Sequence, residues 1–197
     1  MYLFDRIPIL FFTFSIRLVI RGNESLESVI IVHQQSGTQT MVDDIHGIRN
    51  ILTKNKVLAV VGLSANESRP SFFAAKYMQD HGYRVIPVNP RYEEILGERC
   101  YPDLESIPVP VDIVDVFQRP DRVMPTVQSA IDIKAKVLWL QLGVVNNEAV
   151  VLAEGAGLEV VMDRCVKIEY ARLFGGLGFI GVSTGIVSAK RPRVVPY

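Results

Sequence analysis

Five short apolar runs alternate with amphipathic stretches along the middle of this chain. The runs have the length and continuity of buried strands and cover residues 57–61, 84–88, 112–117, 136–140 and 158–162. Between them, apolar residues recur every three to four positions, which predicts helices before the first run and from Pro70, Pro125 and Asn147 onward. Residues 91–102 are predicted to be an irregular link. Because continuous apolar strands are covered on both faces, the pattern predicts an α/β fold with a doubly wound, five-stranded parallel sheet and helices on both faces.

The two ends of the chain depart from this pattern. Residues 7–16 form an uncharged apolar run that falls short of the roughly 20 residues a membrane-spanning helix needs, and no signal-peptide cleavage site follows it. We interpret Met41 as the natural start, residues 1–40 as a poorly packed extension, and residues 41–173 as one domain. Residues 174–197 are predicted to be an arm that packs along this domain or on a second copy of the chain, as in a homodimer.

Composition narrows the choice of partner and compartment. The chain carries 21 basic and 21 acidic residues, so it has no net field to attract nucleic acid or an anionic membrane, and neither is an expected partner. Cys100 and Cys165 are too few and too far apart for a disulfide framework, a zinc knuckle or a CxxC redox pair. Because free thiols suit a reducing compartment, we expect the protein to be cytoplasmic.

The turn after the first apolar run is suited to binding phosphate. Val57–Val61 ends at Gly62, and a polar turn then leads to Pro70, a residue favoured at the first position of a helix. The free N–H groups of such a helix face whatever lies over the strand end, with the positive end of the helix dipole behind them. Arg69 opposes this dipole, which favours a bound anion as the reason for its position.

The residues just past each strand form the expected ligand site, because ligands of open parallel sheets lie beyond the carboxyl ends of the strands. These positions carry arginines suited to phosphate, an aromatic ring suited to a base, and neutral hydrogen-bonding groups. We therefore expect one rim for a nucleotide with several phosphates, built from Gly62–Asn66, Asn89–Arg91, Phe117–Arg119, Gln141–Gly143 and Asp163–Cys165.

This turn departs from the NAD-binding fingerprint. Gly62 is the one glycine of G-x-G-x-x-G that is present, Ser64 takes the place of the second, and the second strand ends in Asn89 rather than in the acid that binds a ribose hydroxyl. An amide beside Arg91 suits a ribose phosphate, which a carboxylate would repel. No Gly-Lys-Ser/Thr follows the turn, so the sequence also lacks a Walker A motif.

Five segments together resemble a known family. They are Val60–Ser64 with Ser68–Ser71, Gly82–Pro90, Val111–Phe117, Leu138–Gly143 and Val161–Cys165. In this order they are similar to the small CoA-binding proteins of the succinyl-CoA synthetase alpha-subunit N-terminal type, across about residues 42–173. The resemblance implies a stand-alone Rossmann-like domain that holds coenzyme A and lacks the synthetase's second domain and phosphorylated histidine.

The resemblance also implies positions for the ligand. Ser64–Glu67 would lie by the pyrophosphate or the ribose phosphate, Asn89 and Arg91 by the adenosine end, and Phe117–Arg119 along the adenine and diphosphate. With the turn and the rim included, the predicted coenzyme A site comprises Gly62, Ser64, Ala65, Asn66, Glu67, Arg69, Asn89, Arg91, Phe117, Gln118, Arg119 and Gln141.

The residues leave two functions open and disfavour a third. The first is a binding module for coenzyme A or an acyl-CoA, acting as carrier, sensor or regulator without chemistry of its own. The second is an enzyme of CoA thiol or thioester chemistry, in which Cys165 is the nucleophile and Arg164 and Lys167 lower the pKa of its thiol, although no histidine is placed to act as its base. An NAD(P)-dependent oxidoreductase is disfavoured by the broken fingerprint.

Overall fold

The five apolar runs form the strands of one parallel sheet. The computed structural model describes residues 41–175, and the strands of this part of the chain are β1 (Val57–Val61), β2 (Arg84–Val88), β3 (Glu94–Ile95), β4 (Glu98–Arg99), β5 (Ile113–Val116), β6 (Val137–Leu140) and β7 (Glu159–Val161). The large sheet has the order β2-β1-β5-β6-β7, and every neighbouring pair in it is parallel. The predicted five-stranded parallel sheet is confirmed.

Five α-helices lie before, between and after these strands in residues 41–175. They are α1 (Ile45–Lys54), α2 (Pro70–Asp80), α3 (Met124–Asp132), α4 (Asn147–Gly155) and α5 (Val166–Phe174). Local chemistry sets several of their starts: Asp44 accepts hydrogen bonds from the amides of His46 and Gly47 to cap α1, and Asn146 caps α4 in the same way through Ala149. Proline occupies the first turn of α2 and α3, where the missing N–H breaks no helix bond.

Side-chain alternation along the strands divides the core between the two faces of the sheet. On β1, Leu58 and Val60 pack in the cluster formed with α1, α2 and α5, whereas Ala59 and Val61 pack in the cluster formed with α3 and α4. Each large aliphatic side chain buried in this way contributes about 1.5–3 kcal/mol. The two clusters hold helices on both faces, which confirms the doubly wound, Rossmann-like α/β fold.

The strand order places a topological switch point between β1 and β5. The chain leaves β1 for β2 on one side and later returns to β5 on the other side. The connections that follow β1 and β5 therefore diverge to opposite faces and leave a crevice between their carboxyl ends. This crevice is where a ligand of such a sheet is expected.

The link between β2 and β5 is more regular than its sequence indicates. It was expected to be irregular, but β3 and β4 pair as a two-residue antiparallel hairpin. Leu96 and Gly97 form its turn with φ of 57° and 73°, the left-handed values that a tight hairpin requires. These strands are too short and too polar to produce a hydrophobic pattern of period two. The residue of this link that indicates a turn in the sequence is Gly97.

The predicted extension (residues 1–40) and all but the first two residues of the predicted arm (174–197) lie outside the described residues. Within residues 41–175, no helix is both long and apolar enough to cross a membrane.

Candidate functional site

A cleft of about 810 Å³ lies at the switch point, over the carboxyl ends of β2, β1 and β5. Its volume falls in the range of pockets that hold small molecules and cofactors. Its lining includes the ends of these three strands, the starts of α2 and α3, and residues of the link after β2: Val61, Gly62, Ser64, Arg69, Pro70, Ser71, Val88, Asn89, Pro90, Arg91, Tyr92, Pro102, Asp103, Leu104, Phe117, Gln118, Arg122, Pro125, Thr126 and Ser129.

Gly62 forms the floor of this cleft and permits a close backbone approach. Its amide donates to the carbonyl of Val88 at 2.9 Å, and its φ is +83°. A Cβ at this position would lie 2.6 Å from the backbone oxygen of Phe117. Glycine is therefore required here both for the left-handed conformation and for the contact between the β1 and β5 ends.

Replacing Gly62 with alanine is expected to lower the free energy of unfolding by about 2–3 kcal/mol, because the left-handed strain adds to a clash with fixed backbone. Chemical denaturation of the purified variant measures this change. Gly143→Ala is the matched control, since Gly143 has a φ of +84° and open space around its Cβ position. Equal losses in the two variants would contradict the proposed clash with Phe117.

The turn between β1 and α2 is held by its own side chains. Ser64 Oγ accepts from the amide of Asn66 at 3.1 Å, and Asn66 Oδ1 accepts from the amide and the hydroxyl of Ser68 at 2.9 and 2.6 Å. The amide of Ser64 donates to Ser71 Oγ at 3.2 Å. Of the predicted turn residues, Gly62, Ser64 and Arg69 line the cleft, whereas Ala65, Asn66 and Glu67 are exposed and do not.

Asn89 ties the end of β2 to this turn. Its Nδ2 donates to the carbonyl of Leu63 at 2.8 Å, and its Oδ1 accepts from the amide of Arg91 at 3.1 Å. An aspartate could not donate to the Leu63 carbonyl, which gives a structural reason for an amide at this position. Asn89 borders the cleft, and its side chain positions both the first turn and Arg91.

Three arginines in the cleft are free to bind an anion. Arg69 precedes α2, Arg91 follows β2, and Arg122 ends a short 3₁₀ turn (Pro120–Arg122) before α3. Within residues 41–175 none of the three has an ion-pair partner. Arg119, which was predicted to face the ligand, does not line the cleft: its Nε donates to Asp121 at 3.1 Å and its side chain is 73% exposed. Arg122 takes its place as the arginine of this loop that borders the cleft.

The remaining wall offers an aromatic and an amide surface. Phe117 is half-buried at the end of β5, and Tyr92 is exposed on the opposite side of the cleft. Thr126 Oγ1 donates to Gln118 Oε1 at 2.8 Å. The other end of this amide, Gln118 Nε2, has no hydrogen-bond partner in the described part of the chain. The cleft thus combines cations, donors and flat rings.

The family comparison agrees with this geometry. A family model described as "CoA binding domain" matches residues 56–171, which include every strand and the whole cleft. The chain belongs to the CoA-binding domain family. The resemblance seen in the sequence is thereby confirmed.

Relatives of this CoA-binding domain include both small and large proteins. The uncharacterized protein YneT of Bacillus subtilis is 41% identical over 124 residues, an alignment that covers 63% of this chain and 92% of YneT. Acetate–CoA ligase [ADP-forming] I of Archaeoglobus fulgidus is 31% identical over 122 residues, covering 56% of this chain and 18% of the ligase. The chain therefore spans most of YneT but about a fifth of the ligase.

Solved structures share the fold of the CoA-binding domain. A hypothetical protein from Pyrococcus horikoshii OT3 is 43% identical with a TM-score of 0.66, over 68% of this chain and 94% of that one. A protein from Thermus thermophilus is 36% identical with a TM-score of 0.65, over 67% of this chain and all of the other. Both align along nearly their whole length.

The expected rim divides into two parts in the structure. The ends of β6 and β7 lie on the far side of β5 from β1, and none of their predicted residues lines the cleft. Gln141 is 2% exposed, and its Nε2 donates to the buried Asp115 Oδ1 at 2.6 Å. Arg164 is buried as well, in ion pairs with Asp43 and Glu169. Arg164, which was predicted to belong to the ligand rim, therefore does not line this cleft.

Cys165 is not activated as the enzyme hypothesis requires. Burial raises the pKa of its thiol, and the buried Asp115 raises this pKa further, against the smaller lowering by the amides of Ile168 and Lys167 and by the Lys167 charge. Arg164 directs its guanidinium to Glu169 at 3.0 Å. The expected lowering of the thiol pKa is wrong, because desolvation outweighs the nearby positive charge.

Several residues of the cleft are absent from the predicted site, because the predicted rim contains only the positions directly after each strand. Arg122, Thr126 and Ser129 belong to the turn and helix that follow β5, and Tyr92 and Asp103 belong to the link after β2. The pair Pro120 and Pro125 marked a turn and a helix start in this segment, and the first turn of a helix faces the same edge of the sheet as the strand end. That signal could have found Arg122 and Thr126.

Proposed function

We propose that this CoA-binding domain holds coenzyme A or an acyl-CoA in the cleft over β1, as a carrier, sensor or regulator without chemistry of its own. The observation that supports this most directly is the set of three arginines without ion-pair partners, within residues 41–175, in one cleft of about 810 Å³. Coenzyme A carries a pyrophosphate and a 3′-phosphate, and guanidinium groups bind such oxyanions through paired hydrogen bonds.

The other groups of the cleft fit the rest of this ligand. The turn after β1 and the start of α2 offer backbone N–H groups suited to a phosphate. Phe117 and Tyr92 offer rings against which a purine base stacks, and the amide nitrogen of Gln118 offers a donor to its heteroatoms. The donor set therefore suits a phosphorylated purine nucleotide.

The larger relatives support the ligand but not a reaction. Their names describe ADP-forming acetate–CoA ligases, and the alignments cover 18% and 22% of two of them. A match to so small a part of each ligase supports CoA binding by this chain. We therefore propose no ligase reaction for it.

The thiol-enzyme alternative has little support. It needs a reactive Cys165 near the ligand, whereas burial raises the pKa of this thiol and the residue does not line the cleft. The NAD(P) alternative needs an acid after β2, where Asn89 instead donates to the Leu63 carbonyl. Neither alternative has an observation in its favour.

We also propose the cytoplasm as the compartment and a homodimer as an available assembly. Cys100 and Cys165 are both free, as expected of a reducing environment. The homodimer proposal rests on the apolar and then basic sequence of residues 174–197. Nucleic acid is not a proposed partner, because the chain has no net charge.

A thermal-shift titration tests the proposed ligand. At one hundred times its dissociation constant, coenzyme A is expected to stabilise the protein by about 2.7 kcal/mol, which raises Tm by roughly 5–10 °C for a domain of this size. NAD at the same concentration is expected to give a much smaller shift. Arg69→Ala should reduce the coenzyme A shift with little change in the ligand-free Tm, because Arg69 is exposed and has no ion-pair partner among residues 41–175.

Lys76→Ala is the matched control, since Lys76 lies on α2, the helix that Arg69 precedes, and is exposed outside the cleft. The control should retain the full coenzyme A shift. The proposal would be contradicted by the absence of a shift with coenzyme A, or by an equal shift with NAD.

A further inference from the structure

Five aromatic rings form a continuous surface on α2 and α5. Phe73, Tyr77 and His81 are spaced by four residues along α2 and its C-terminal cap, so they follow one another on one side of the helix. The Tyr77 ring stacks on the His81 ring with the centroids 4.0 Å apart, and the His81 ring contacts the Tyr170 ring edge-on at 5.1 Å. The Tyr170 ring in turn contacts that of Phe174, the last residue of α5, at 4.8 Å. We call these five residues the aromatic stripe.

The aromatic stripe is exposed at both of its ends. Phe73 is 55% exposed and Phe174 is 36% exposed, whereas Tyr77 and Tyr170 between them are half-buried. A single exposed apolar ring is common on a protein surface, but a contiguous set of rings marks a surface suited to packing against another segment. None of the five residues lines the cleft, so the stripe is separate from the proposed coenzyme A site.

The segment that follows α5 has the composition to cover this stripe. Residues 176–187 contain no charged side chain, and their apolar members are Leu177, Phe179, Ile180, Val182, Ile186 and Val187. On α2 the two charged side chains, Lys76 and Asp80, pair with each other and need no charge from another segment. Docking of an uncharged segment on the stripe therefore buries apolar surface without the cost of burying an unpaired charge.

The position and length of this segment also fit the stripe. Gly175 and Gly176 directly follow Phe174, and glycine readily adopts the backbone conformations that reverse the direction of a chain. Phe73 and His81 are about 12 Å apart along the helix axis, whereas residues 177–187 span up to about 36 Å when extended. Because the segment is tethered at one end of the stripe, its effective concentration there is about millimolar, which favours the stripe of its own chain over that of another copy.

We propose that residues 177–187 dock on the aromatic stripe of the same chain and cover Phe73 and Phe174. This docking gives the arm predicted from the sequence a defined place on the domain, along α2 and α5. The homodimer proposed above is then the exchanged form of the same contact, in which each arm docks on the stripe of the other copy.

Limited proteolysis of the full chain with chymotrypsin tests this docking, with mass spectrometry to measure the rate of cleavage after Phe179. A synthetic peptide of residues 174–190 gives the rate for the undocked segment. At a concentration where the protein is monomeric by light scattering, the wild type is expected to be cut at least about 10-fold more slowly than the peptide, because cleavage follows the undocked population. Phe73→Gln is expected to raise the rate in the protein by about 10-fold, since docking loses an aromatic contact.

Val151→Gln is the matched control. Val151 is 70% exposed on α4, which packs on the opposite face of the sheet from α2 and α5, so this variant should be cut at the wild-type rate. Circular dichroism of both variants should match the wild type, because both positions are more than half exposed and glutamine is a good helix former.

Three outcomes would overturn the proposal. If the wild type is cut at the rate of the peptide, residues 177–187 are not docked. If it is protected but Phe73→Gln leaves the rate unchanged, the segment docks elsewhere than on the stripe. If protection appears only at concentrations where the protein is dimeric, the segment docks between copies and not within one chain. None of these outcomes changes the proposed function, because the stripe does not line the cleft.

Discussion

Replacing Glu169 with leucine is expected to lower the free energy of unfolding by about 3–5 kcal/mol. Glu169 is fully buried on α5, where its Oε1 accepts from Arg164 Nη1 at 3.0 Å and its Oε2 accepts from Arg172. The side chain of Arg164 is 5% exposed, and its other carboxylate partner, Asp43, is 48% exposed. Without Glu169, a buried guanidinium loses its buried counter-charge.

Urea denaturation monitored by circular dichroism measures this loss. The double variant Arg164→Met/Glu169→Leu is expected to be more stable than Glu169→Leu alone, because removing both charges leaves neither uncompensated. Asp80→Ala is the control for an exposed ion pair, because Lys76 and Asp80 are half-exposed on α2. Removing this pair should lower the free energy of unfolding by less than about 0.5 kcal/mol. A loss below about 1 kcal/mol in Glu169→Leu would contradict the assigned role of the buried pair.

The sequence predicts the main sheet well because its strands are continuous apolar runs. The run 84–88 is β2 itself, and the run 112–117 exceeds β5 by one residue at each end. The same rule fails for β3 and β4, where each strand has two residues and three of the four are charged. Such a hairpin is stabilised by pairing and by its Leu96–Gly97 turn, and neither produces a hydrophobic period.

The candidate site is predicted less completely, because two kinds of information are missing from a linear pattern. The first is the strand order: apolar runs identify five strand ends but not that β6 and β7 are separated from β1 by β5, so Gln141 and Arg164 were grouped with Gly62. The second is the direction of side chains in irregular loops. Arg119 and Arg122 have the same chemistry, but Arg119 pairs with Asp121 and does not line the cleft, whereas Arg122 does.

Asn89 lies at the end of β2, as the sequence predicts, but the sequence does not reveal the hydrogen bonds of its side chain. From the sequence alone, the amide in place of an acid at this position is interpreted as a site for a ligand phosphate. The structure adds two hydrogen bonds, to the Leu63 carbonyl and from the Arg91 amide, that an amide satisfies without any ligand. Bonds between turns that are distant in sequence require the tertiary structure.

Replacing Asp115 with asparagine is expected to stabilise the protein near neutral pH, by an amount that grows with pH. Asp115 is 1% exposed on β5, in register with Val60 on one side and Trp139 on the other. Its Oδ1 accepts from Gln141 Nε2, and its Oδ2 has no hydrogen-bond partner among the described residues. Burial raises the pKa of this carboxyl to about 8, against the smaller lowering by the Gln141 hydrogen bond.

The sign of the pH dependence follows from proton binding. Below pH 4 the carboxyl is protonated in both states, so it does not oppose folding. Between about pH 4 and pH 8 the unfolded chain has released this proton and the native state retains it, so the free energy of unfolding falls by about 1.4 kcal/mol per pH unit. Above pH 8 both states are ionised and the full destabilisation remains. Asparagine cannot ionise, so Asp115→Asn removes this dependence.

Urea denaturation of the wild type and Asp115→Asn at pH 5, 6, 7 and 8 tests the prediction. The stability of the variant minus that of the wild type should rise by about 1.4 kcal/mol per pH unit up to pH 7 and level off near pH 8. The added N–H of asparagine has no acceptor at the Oδ2 position, so it lowers the free energy of unfolding of the variant by the same amount at every pH. The slope of the stability difference against pH is therefore unchanged. Asp132→Asn, at an exposed position on α3, is the matched control for the loss of one carboxylate. A flat difference for Asp115→Asn would mean that the native state holds the Asp115 carboxylate ionised, and its orphaned oxygen would then require a compensating charge or donor.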